Sequence, residues 1–178
     1  MNKQIRFTTL TAMMLALLVV VQFMTGSFGQ FVTGSLVNLI LLVTTYMVGL
    51  SGGLILALVS PFLAHFLGIG PAFIQIVVFV ACGNGLLVTI TWLLTHNTMT
   101  DAKKLSYNVM ALSLAAVVKT AFLWVGIVKL ALPLIPSLTP QQISVISTSF
   151  SWPQLITACS GATLALIVIP ILHRTVDK

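Results

Sequence analysis

Long apolar stretches, separated by short polar or glycine- and proline-containing segments, dominate the sequence. A membrane-spanning helix needs about 20 mostly apolar residues, and fewer where neighbouring helices bury it. Six candidate spans meet this criterion, at approximately residues 7–24, 33–50, 54–67, 71–95, 105–132 and 151–172. We therefore expect an all-α integral membrane bundle of six transmembrane helices that forms a single membrane domain over residues 1–178.

Glycine and proline mark the boundaries of these spans. Ser51-Gly52-Gly53 separates the second span from the third, and Pro61 predicts a kink inside the third. The connection after the fifth span is the longest, because Pro133, Pro136 and Pro140 prevent the helix from continuing.

Two segments of this region have the spacing of a capping box. Thr139-Pro-Gln-Gln142 predicts a short surface helix over residues 141–147, with proline in its first turn. Ser151-Trp-Pro-Gln154 repeats the pattern and is expected to open the sixth span.

Composition excludes a soluble domain. The chain has 178 residues, of which 58% are hydrophobic and 6% charged, and its mean hydropathy is +1.15. The net charge of +6 comes from scattered cations, without the basic run that nucleic-acid binding requires. Cys82 and Cys159 lie in apolar runs without metal-ligand spacing, so we expect them to be small buried hydrophobes.

The positive charges predict the topology. Short cytoplasmic loops collect lysine and arginine, and with six spans three groups of cations fall on one side: Lys3 and Arg6, Lys103 and Lys104, and Arg174 and Lys178. Both termini are therefore predicted to be cytoplasmic. Lys129 is the exception, at the outer end of span five, where it can snorkel to the interface. The first apolar stretch is longer than a signal-peptide core, so we expect a retained span.

Polar side chains at membrane depth are costly and usually face a protein interior or a water-filled cavity. Counting from the loops places seven such candidates in the outer half of the membrane, whereas the inner halves of spans one, two and six are nearly featureless. We expect a substrate-binding cavity that is open to the outside and closed below, built from Asn38, His65, Gln75, Asn84, Lys119, Trp124 and Gln154.

Each candidate also has a structural interpretation. His65 lies at a helix end, where a hydrogen-bonded histidine is common. Gly83-Asn84-Gly85 also fits close helix packing, with Asn84 bonded across it, and Trp152 fits an aromatic belt. Trp124 is deeper and better placed for stacking. Lys119 has no intramembrane acid to pair with, so it must be deprotonated, snorkel, or meet carbonyl groups or an anionic ligand.

Enzymatic functions find little support. The only acidic residues, Asp101 and Asp177, are both predicted in cytoplasmic connections, which leaves no carboxylate pair, metal-ligand cluster or proton relay. Ser60 and His65 are spaced unfavourably for one helical face and lack an orienting acid. No Walker motif occurs, so the chain is not expected to hydrolyse ATP, and no cofactor or metal is predicted.

Ala12 and Ala16 lie four residues apart in the first span, and a helix with this spacing has a smooth face that another helix can approach closely. The chain resembles the substrate-binding S component of energy-coupling factor (ECF) transporters in this pattern and in having six spans in under 200 residues. The resemblance extends to three segments: Gln30-Phe-Val-Thr-Gly-Ser-Leu-Val-Asn38, Gly49-Leu-Ser-Gly-Gly53 and Ser60-Pro61. The resemblance covers essentially the whole chain.

The resemblance implies a multi-pass protein of the plasma membrane, expected to be bacterial, which captures a water-soluble vitamin from outside. It implies a transmembrane coupling protein and two cytoplasmic ATPases as partners, with Ala12 and Ala16 docking on the coupling protein. The S component would topple in the lipid bilayer to deliver its ligand. The loop between spans one and two would act as the gate, with Gly26, Gly29 and Gly34 as hinge positions.

The electrostatics of the spans bear on the substrate. A lone Lys119 without an intramembrane acid favours an anionic or neutral ligand over a cationic one such as thiamine. Pantothenate fits best, followed by a pyridoxine-like or hydroxymethylpyrimidine-like vitamer or cobalamin. Two other functions stay open: a structural or regulatory membrane subunit without a small-molecule site, and a self-contained secondary carrier, which the absence of an ion-coupling carboxylate disfavours.

Overall fold

The computed structural model describes residues 2–176, and within this range all of the regular secondary structure is helical. The seven α-helices are α1 (Lys3–Thr25), α2 (Gln30–Val48), α3 (Leu50–Phe66), α4 (Ile74–Thr95), α5 (Leu105–Leu123), α6 (Pro140–Ser149) and α7 (Trp152–Val176). Short 3₁₀ turns lie at Gly26–Phe28, Ala102–Lys104 and Leu132–Leu134.

The lengths and compositions of these helices suit a membrane. Five helical segments of the described chain are long and apolar enough to cross a bilayer, and α3 is a shorter apolar helix of 17 residues. The all-α prediction is confirmed, and the helices are compatible with a multi-pass membrane bundle.

Helix α2 lies at the centre of the bundle and packs against α1, α3, α4 and α7. Helix α5 closes the other side by packing against α4 and α7. Helix α1 is peripheral, since only Thr11 and Leu18 on it are buried. Fully buried leucines and alanines fill the spaces between helices, among them Leu41, Leu56 and Ala115.

Two glycines allow sharp turns between consecutive helices. Gly29 joins the first turn region to α2 with a φ of 85°, and Gly49 joins α2 to α3 with a φ of 97°. A side chain is strained in this left-handed region, whereas glycine is not. The chain can therefore reverse direction twice with almost no connecting loop.

Helix α5 continues into a π-helix over Trp124–Ala131 before the 3₁₀ turn at Leu132–Leu134 ends it. The fifth predicted span, residues 105–132, thus contains a change of helical type that the apolar pattern did not indicate. Gly126 lies inside the π-helix and packs against the ring of Phe79 on α4. The missing side chain at Gly126 lets the π-helix approach α4 closely.

The long connection after α5 contains the predicted surface helix. The capping box at Thr139 and Gln142 is formed: Gln142 N donates to Thr139 Oγ1 over 3.3 Å, and Thr139 N donates to Gln142 Oε1 over 2.9 Å. The prediction of a second capping box at Ser151 and Gln154 is wrong. Ser151 Oγ instead donates to Thr148 O at the end of α6, which also accepts from Ser151 N.

The prediction that both cysteines are buried is also wrong. Cys82 is exposed on the surface of α4, and Cys159 is partly buried. A lipid-facing helix surface is as apolar as the interior, so an apolar sequence context does not distinguish the two positions.

The two ends of the bundle are distinct. One, called here the loop end, carries the connections 26–29, 67–73 and 132–151. The other, called the termini end, brings together Arg6 of α1, His96 after α4 and His173 of α7, which line one cavity. Asp177 and Lys178 lie outside the described residues.

Candidate functional site

A cavity of about 300 Å³ opens within the loop end of the bundle. This volume is at the lower limit of small-molecule sites. Helices α1 to α5 and α7 all contribute to its wall, as do the connections 26–29 and 69–71. Its polar lining consists of Gln22, Gln30, Thr33, Asn38, Asn84, Lys119 and Gln154.

The floor of the cavity is a hydrogen-bonded triad from three helices. Lys119 of α5 is 3% exposed, and its Nζ donates to Asn38 Oδ1 of α2 over 2.6 Å and to Asn84 Oδ1 of α4 over 2.7 Å. Both asparagines are buried as well. Among the expectations for Lys119, the structure matches contact with carbonyl groups, here supplied by side-chain amides rather than by the backbone.

Close helix packing positions this triad. Gly161 of α7 faces Asn38, and a Cβ at this glycine would lie 2.6 Å from Asn38 Cβ and 2.7 Å from Ser35 O. Gly83 likewise allows α4 and α5 to pack closely, since a Cβ at this position would lie 2.8 Å from a methyl carbon of Leu123. The segment 83–85 therefore combines its two interpretations: Gly83 permits packing, and Asn84 lines the cavity.

The lysine determines how both amides are oriented. A lysine side chain donates hydrogen bonds, so each asparagine must turn its Oδ1 toward Nζ and its Nδ2 away. Neither Nδ2 group has a hydrogen-bond partner among residues 2–176, and both side chains line the cavity. A protonated Nζ would add a third N–H. The floor is thus rich in donors and poor in acceptors.

Glutamine side chains form the upper part of the site. Gln22 Oε1 on α1 is buried and has no hydrogen-bond partner in the described chain, and Gln22 lines the cavity. Gln30 and Gln154 both donate from Nε2 to Ser149 O, at 2.7 and 3.4 Å. These two bonds connect the start of α2 and the start of α7 to the end of α6.

A second, more apolar cavity of about 600 Å³ lies between α6 and the connection 69–73. Gln30, Phe150 and the segment 69–71 line both cavities. The larger cavity is therefore adjacent to the donor-rich one and separated from it by these shared residues.

Four of the seven predicted site residues line the cavity, namely Asn38, Asn84, Lys119 and Gln154. The structure does not bring the other three to it. His65 is hydrogen-bonded through Nδ1 to Pro71 O at 2.7 Å, and Gln75 is exposed on α4. Trp124 is 41% exposed, and Lys129 Nζ lies 5.0 Å from the centre of its ring.

The roles of the remaining predicted positions stay predictions, and the structure shows only where these residues lie. Gly26, Gly29 and Gly34 line the cavity. Ala12 and Ala16 are exposed on α1, and no described helix covers them. Trp152 is exposed and lies 5.9 Å from Phe31, centre to centre.

Sequence reasoning did not identify Gln22, Gln30 or Thr33 as lining residues. A signal for Gln22 was present, because it is the only amide side chain in the apolar run 7–24. The expectation of nearly featureless inner halves in spans one, two and six stays a prediction, because most polar residues at the termini end lie outside those spans. A cavity of about 290 Å³ at the termini end is lined by Arg6, Tyr46, Trp92, His96 and His173.

Other chemistry is sparse in the part of the chain that the structure describes. It contains no group of three or more histidine, cysteine or acidic side chains able to hold a metal ion. Ser60 Oγ is buried without a hydrogen-bond partner, so it is not bonded to His65. Asp101 Oδ1 accepts from Lys103 N at 2.9 Å and so caps the turn before α5.

The geometry therefore presents one buried, donor-rich cavity built around a lysine. Comparison of the sequence with protein-family models, with curated proteins and with solved structures found no match.

Proposed function

We propose that this protein is a membrane-embedded solute-capture subunit of the S-component type, which binds a small vitamin or vitamin precursor at the loop end. A transmembrane coupling protein and two ATPases would then drive inward delivery. The observation that carries the proposal is the buried Lys119, which lines a cavity and is held by two amides without an acidic partner in the described spans.

The charge of the cavity favours an anionic solute. A buried cation is costly unless it is paired, and the hydrogen bonds that it donates to two neutral amides do not neutralise it. A carboxylate entering the cavity would supply the missing charge. It would also accept from the two Nδ2 groups, which lack partners in the described chain.

Size and chemistry together favour pantothenate among the candidates. It carries one carboxylate, and its hydroxyl and amide groups could bond to the glutamines of the upper part. A pyridoxine-like or hydroxymethylpyrimidine-like vitamer would use the donor-rich floor without neutralising Lys119. Cobalamin is many times larger, and a cavity of about 300 Å³ does not accommodate it.

The remaining surfaces fit the same proposal. The exposed alanine face of α1, formed by Ala12 and Ala16, would contact the coupling protein. This face lies on a peripheral helix, so docking there would leave the triad undisturbed. The termini end would face the cytoplasm and the ATPases, in keeping with its cations.

The test is direct binding of pantothenate to the purified protein in detergent, measured by isothermal titration calorimetry against the other vitamers. We expect Lys119→Met to weaken pantothenate binding at least tenfold, which corresponds to about 1.4 kcal/mol. Lys129→Met is the matched control, because it removes an exposed lysine from the same continuous helix and should leave the Kd unchanged. Equal loss in both variants, or binding that survives Lys119→Met, would contradict the proposed site.

The alternative function, a structural or regulatory subunit without a ligand, gives a different result. Native mass spectrometry of the gently purified protein would then find partner subunits but no vitamin-sized ligand. Asn84→Leu and Lys119→Met would leave the activity of the partner intact, and none of the vitamers would bind in calorimetry.

A further inference from the structure

The cavity at the termini end has a chemical character of its own. Four helices meet there, and each contributes a polar or aromatic side chain: Arg6 from α1, Tyr46 from α2, Trp92 from α4 and His173 from α7. His96, directly after α4, also lines the cavity. Its volume is about 290 Å³. It shares no lining residue with the loop-end cavity.

The aromatic rings hold both imidazoles in place. His96 stacks on Trp92 at 4.9 Å between ring centres, with an angle of 22° between the ring planes. His173 meets the ring of Tyr46 edge-on at 6.2 Å. The two imidazoles are therefore each supported by an aromatic wall of the same cavity.

The tautomer of His96 follows from its hydrogen bond. Nδ1 lies 2.8 Å from Trp92 O, and a carbonyl oxygen only accepts, so Nδ1 carries the hydrogen. The other ring nitrogen, Nε2, is left for a ligand. When the ring is protonated, Nε2 becomes a second N–H donor.

Among the described residues that line this cavity, Arg6 carries a positive charge and no acidic side chain is present. Arg6 makes no ion pair within residues 2–176, and the only acidic side chain in that range, Asp101, accepts from the backbone at Lys103. The guanidinium of arginine matches the oxygens of a phosphate group with paired N–H donors. The phenol of Tyr46 and the indole N–H of Trp92 add neutral donors. The lining is also part apolar, through Leu10, Met47 and Leu172.

We propose that the termini-end cavity binds a phosphate group, with Arg6 and His96 as its main ligands and the apolar wall against the carbon part of a phosphate ester. Such a group can come from a phospholipid headgroup of the adjacent leaflet or from a soluble phosphate. Exposed cations and half-buried aromatic rings are typical of the level at which headgroups lie.

The experiment separates the two sources and uses the full chain. In the first arm, inorganic phosphate is titrated calorimetrically into the protein in an uncharged detergent. In the second, the protein is placed in nanodiscs of phosphatidylcholine alone or of equal parts phosphatidylcholine and phosphatidylglycerol. Native mass spectrometry then counts the phospholipids that remain bound after release.

We expect Arg6→Gln to lower phosphate affinity, or retention of phosphatidylglycerol, at least tenfold. Lys3→Gln is the matched control, because it removes the same charge from the same exposed end of α1 without touching the cavity. His96→Phe keeps an aromatic ring next to Trp92 but removes Nε2, and it should reduce binding as well.

The outcomes are distinct. Binding of inorganic phosphate that depends on Arg6 supports a soluble ligand, and lipid retention that depends on Arg6 without phosphate binding supports a headgroup. Equal losses in Arg6→Gln and Lys3→Gln would show general electrostatic attraction and overturn the proposal. Absence of binding in both arms would overturn it too. Neither outcome bears on vitamin binding at the other end.

Discussion

The two cavities at opposite ends of the bundle have nearly the same volume, about 300 and 290 Å³, but they hold their cations differently. At the loop end Lys119 is buried and donates hydrogen bonds to two amides. At the termini end Arg6 is exposed, and water can solvate it. Burying a polar group is costly unless the protein supplies hydrogen-bond partners, whereas an exposed group is solvated by water.

This difference separates stability from binding. Changes to the triad should affect the free energy of unfolding and solute affinity together, because the same hydrogen bonds serve both. Changes to Arg6 should affect binding alone, since surface substitutions usually alter stability by about 0.5 kcal/mol or less.

The largest expected effect is a coupling between Lys119 and Asn84. Asn84→Leu should lower the free energy of unfolding by about 2–3 kcal/mol, because it removes one of two acceptors from a buried amine. In a Lys119→Met background the same change should cost much less, which gives a coupling of about 1.5–3 kcal/mol. Unfolding in sodium dodecyl sulfate, followed by circular dichroism, measures all four proteins.

The control for this double-mutant cycle uses Lys129→Met in place of Lys119→Met. The Lys129 side chain lies over Trp124 and away from Asn84. That pair should be additive. If the effects of Asn84→Leu and Lys119→Met were also additive to within about 0.5 kcal/mol, the triad would not be the stabilising unit inferred from its geometry.

A smaller effect is expected from the glycine that positions Asn38. Gly161→Ala places a methyl group against Asn38 Cβ and Ser35 O, and the backbone contact leaves no flexible side chain to move aside. We expect α2 to shift, at a cost of about 1–3 kcal/mol in unfolding. Solute affinity should fall as well, because Asn38 moves relative to Lys119.

Gly85→Ala is the matched control on another helix. The nearest side-chain atoms to its Cβ would be 3.8 and 3.9 Å away, in Leu54 and Leu58, which is ordinary contact. Stability should not fall and should rise by up to about 1 kcal/mol, because alanine is more favourable than glycine in a helix interior. An equal loss of stability at both glycines would contradict the role given to Gly161, because the loss would then not depend on contact with Asn38.

The smallest effect is expected at Gln22, and its sign differs between the two measurements. Its Oε1 is buried without a partner, so Gln22→Leu should leave the unfolding free energy unchanged or raise it. The variant would lose any hydrogen bond that the solute donates to Oε1, so solute affinity should fall by up to about tenfold. Gln75→Leu, at an exposed amide outside the cavity, should change neither quantity. Lower stability of Gln22→Leu would point to a structural role for the amide.

The helices could be located well from the sequence, because membrane helices are long apolar runs and the loops between them interrupt these runs. It placed Asn38, Asn84 and Lys119 in the site because a polar group at depth must find a partner inside the protein. The same rule did not exclude Gln75 or Trp124. Depth can be counted from a loop, but direction around the helix axis cannot.

The physical reason is the lipid. In water, an exposed helix face is polar and the hydrophobic period reveals which side is buried. In a bilayer both sides are apolar, so Cys82 on the surface and Leu87 in the core share one sequence context. The sequence also does not show which acceptor a hydroxyl will choose. Ser151 has the spacing of a cap, but its hydroxyl donates to the carbonyl of Thr148.

The orientation of the two amides around Lys119 has an entropic consequence. A carboxamide can rotate by half a turn and exchange its donor for its acceptor at almost no cost in shape. Lys119 removes this choice from Asn38 and Asn84 at once, before a solute arrives. Lys119, at the bottom of the cavity, thereby fixes which amide atoms of α2 and α4 face the solute. A solute that binds there need not order these two side chains.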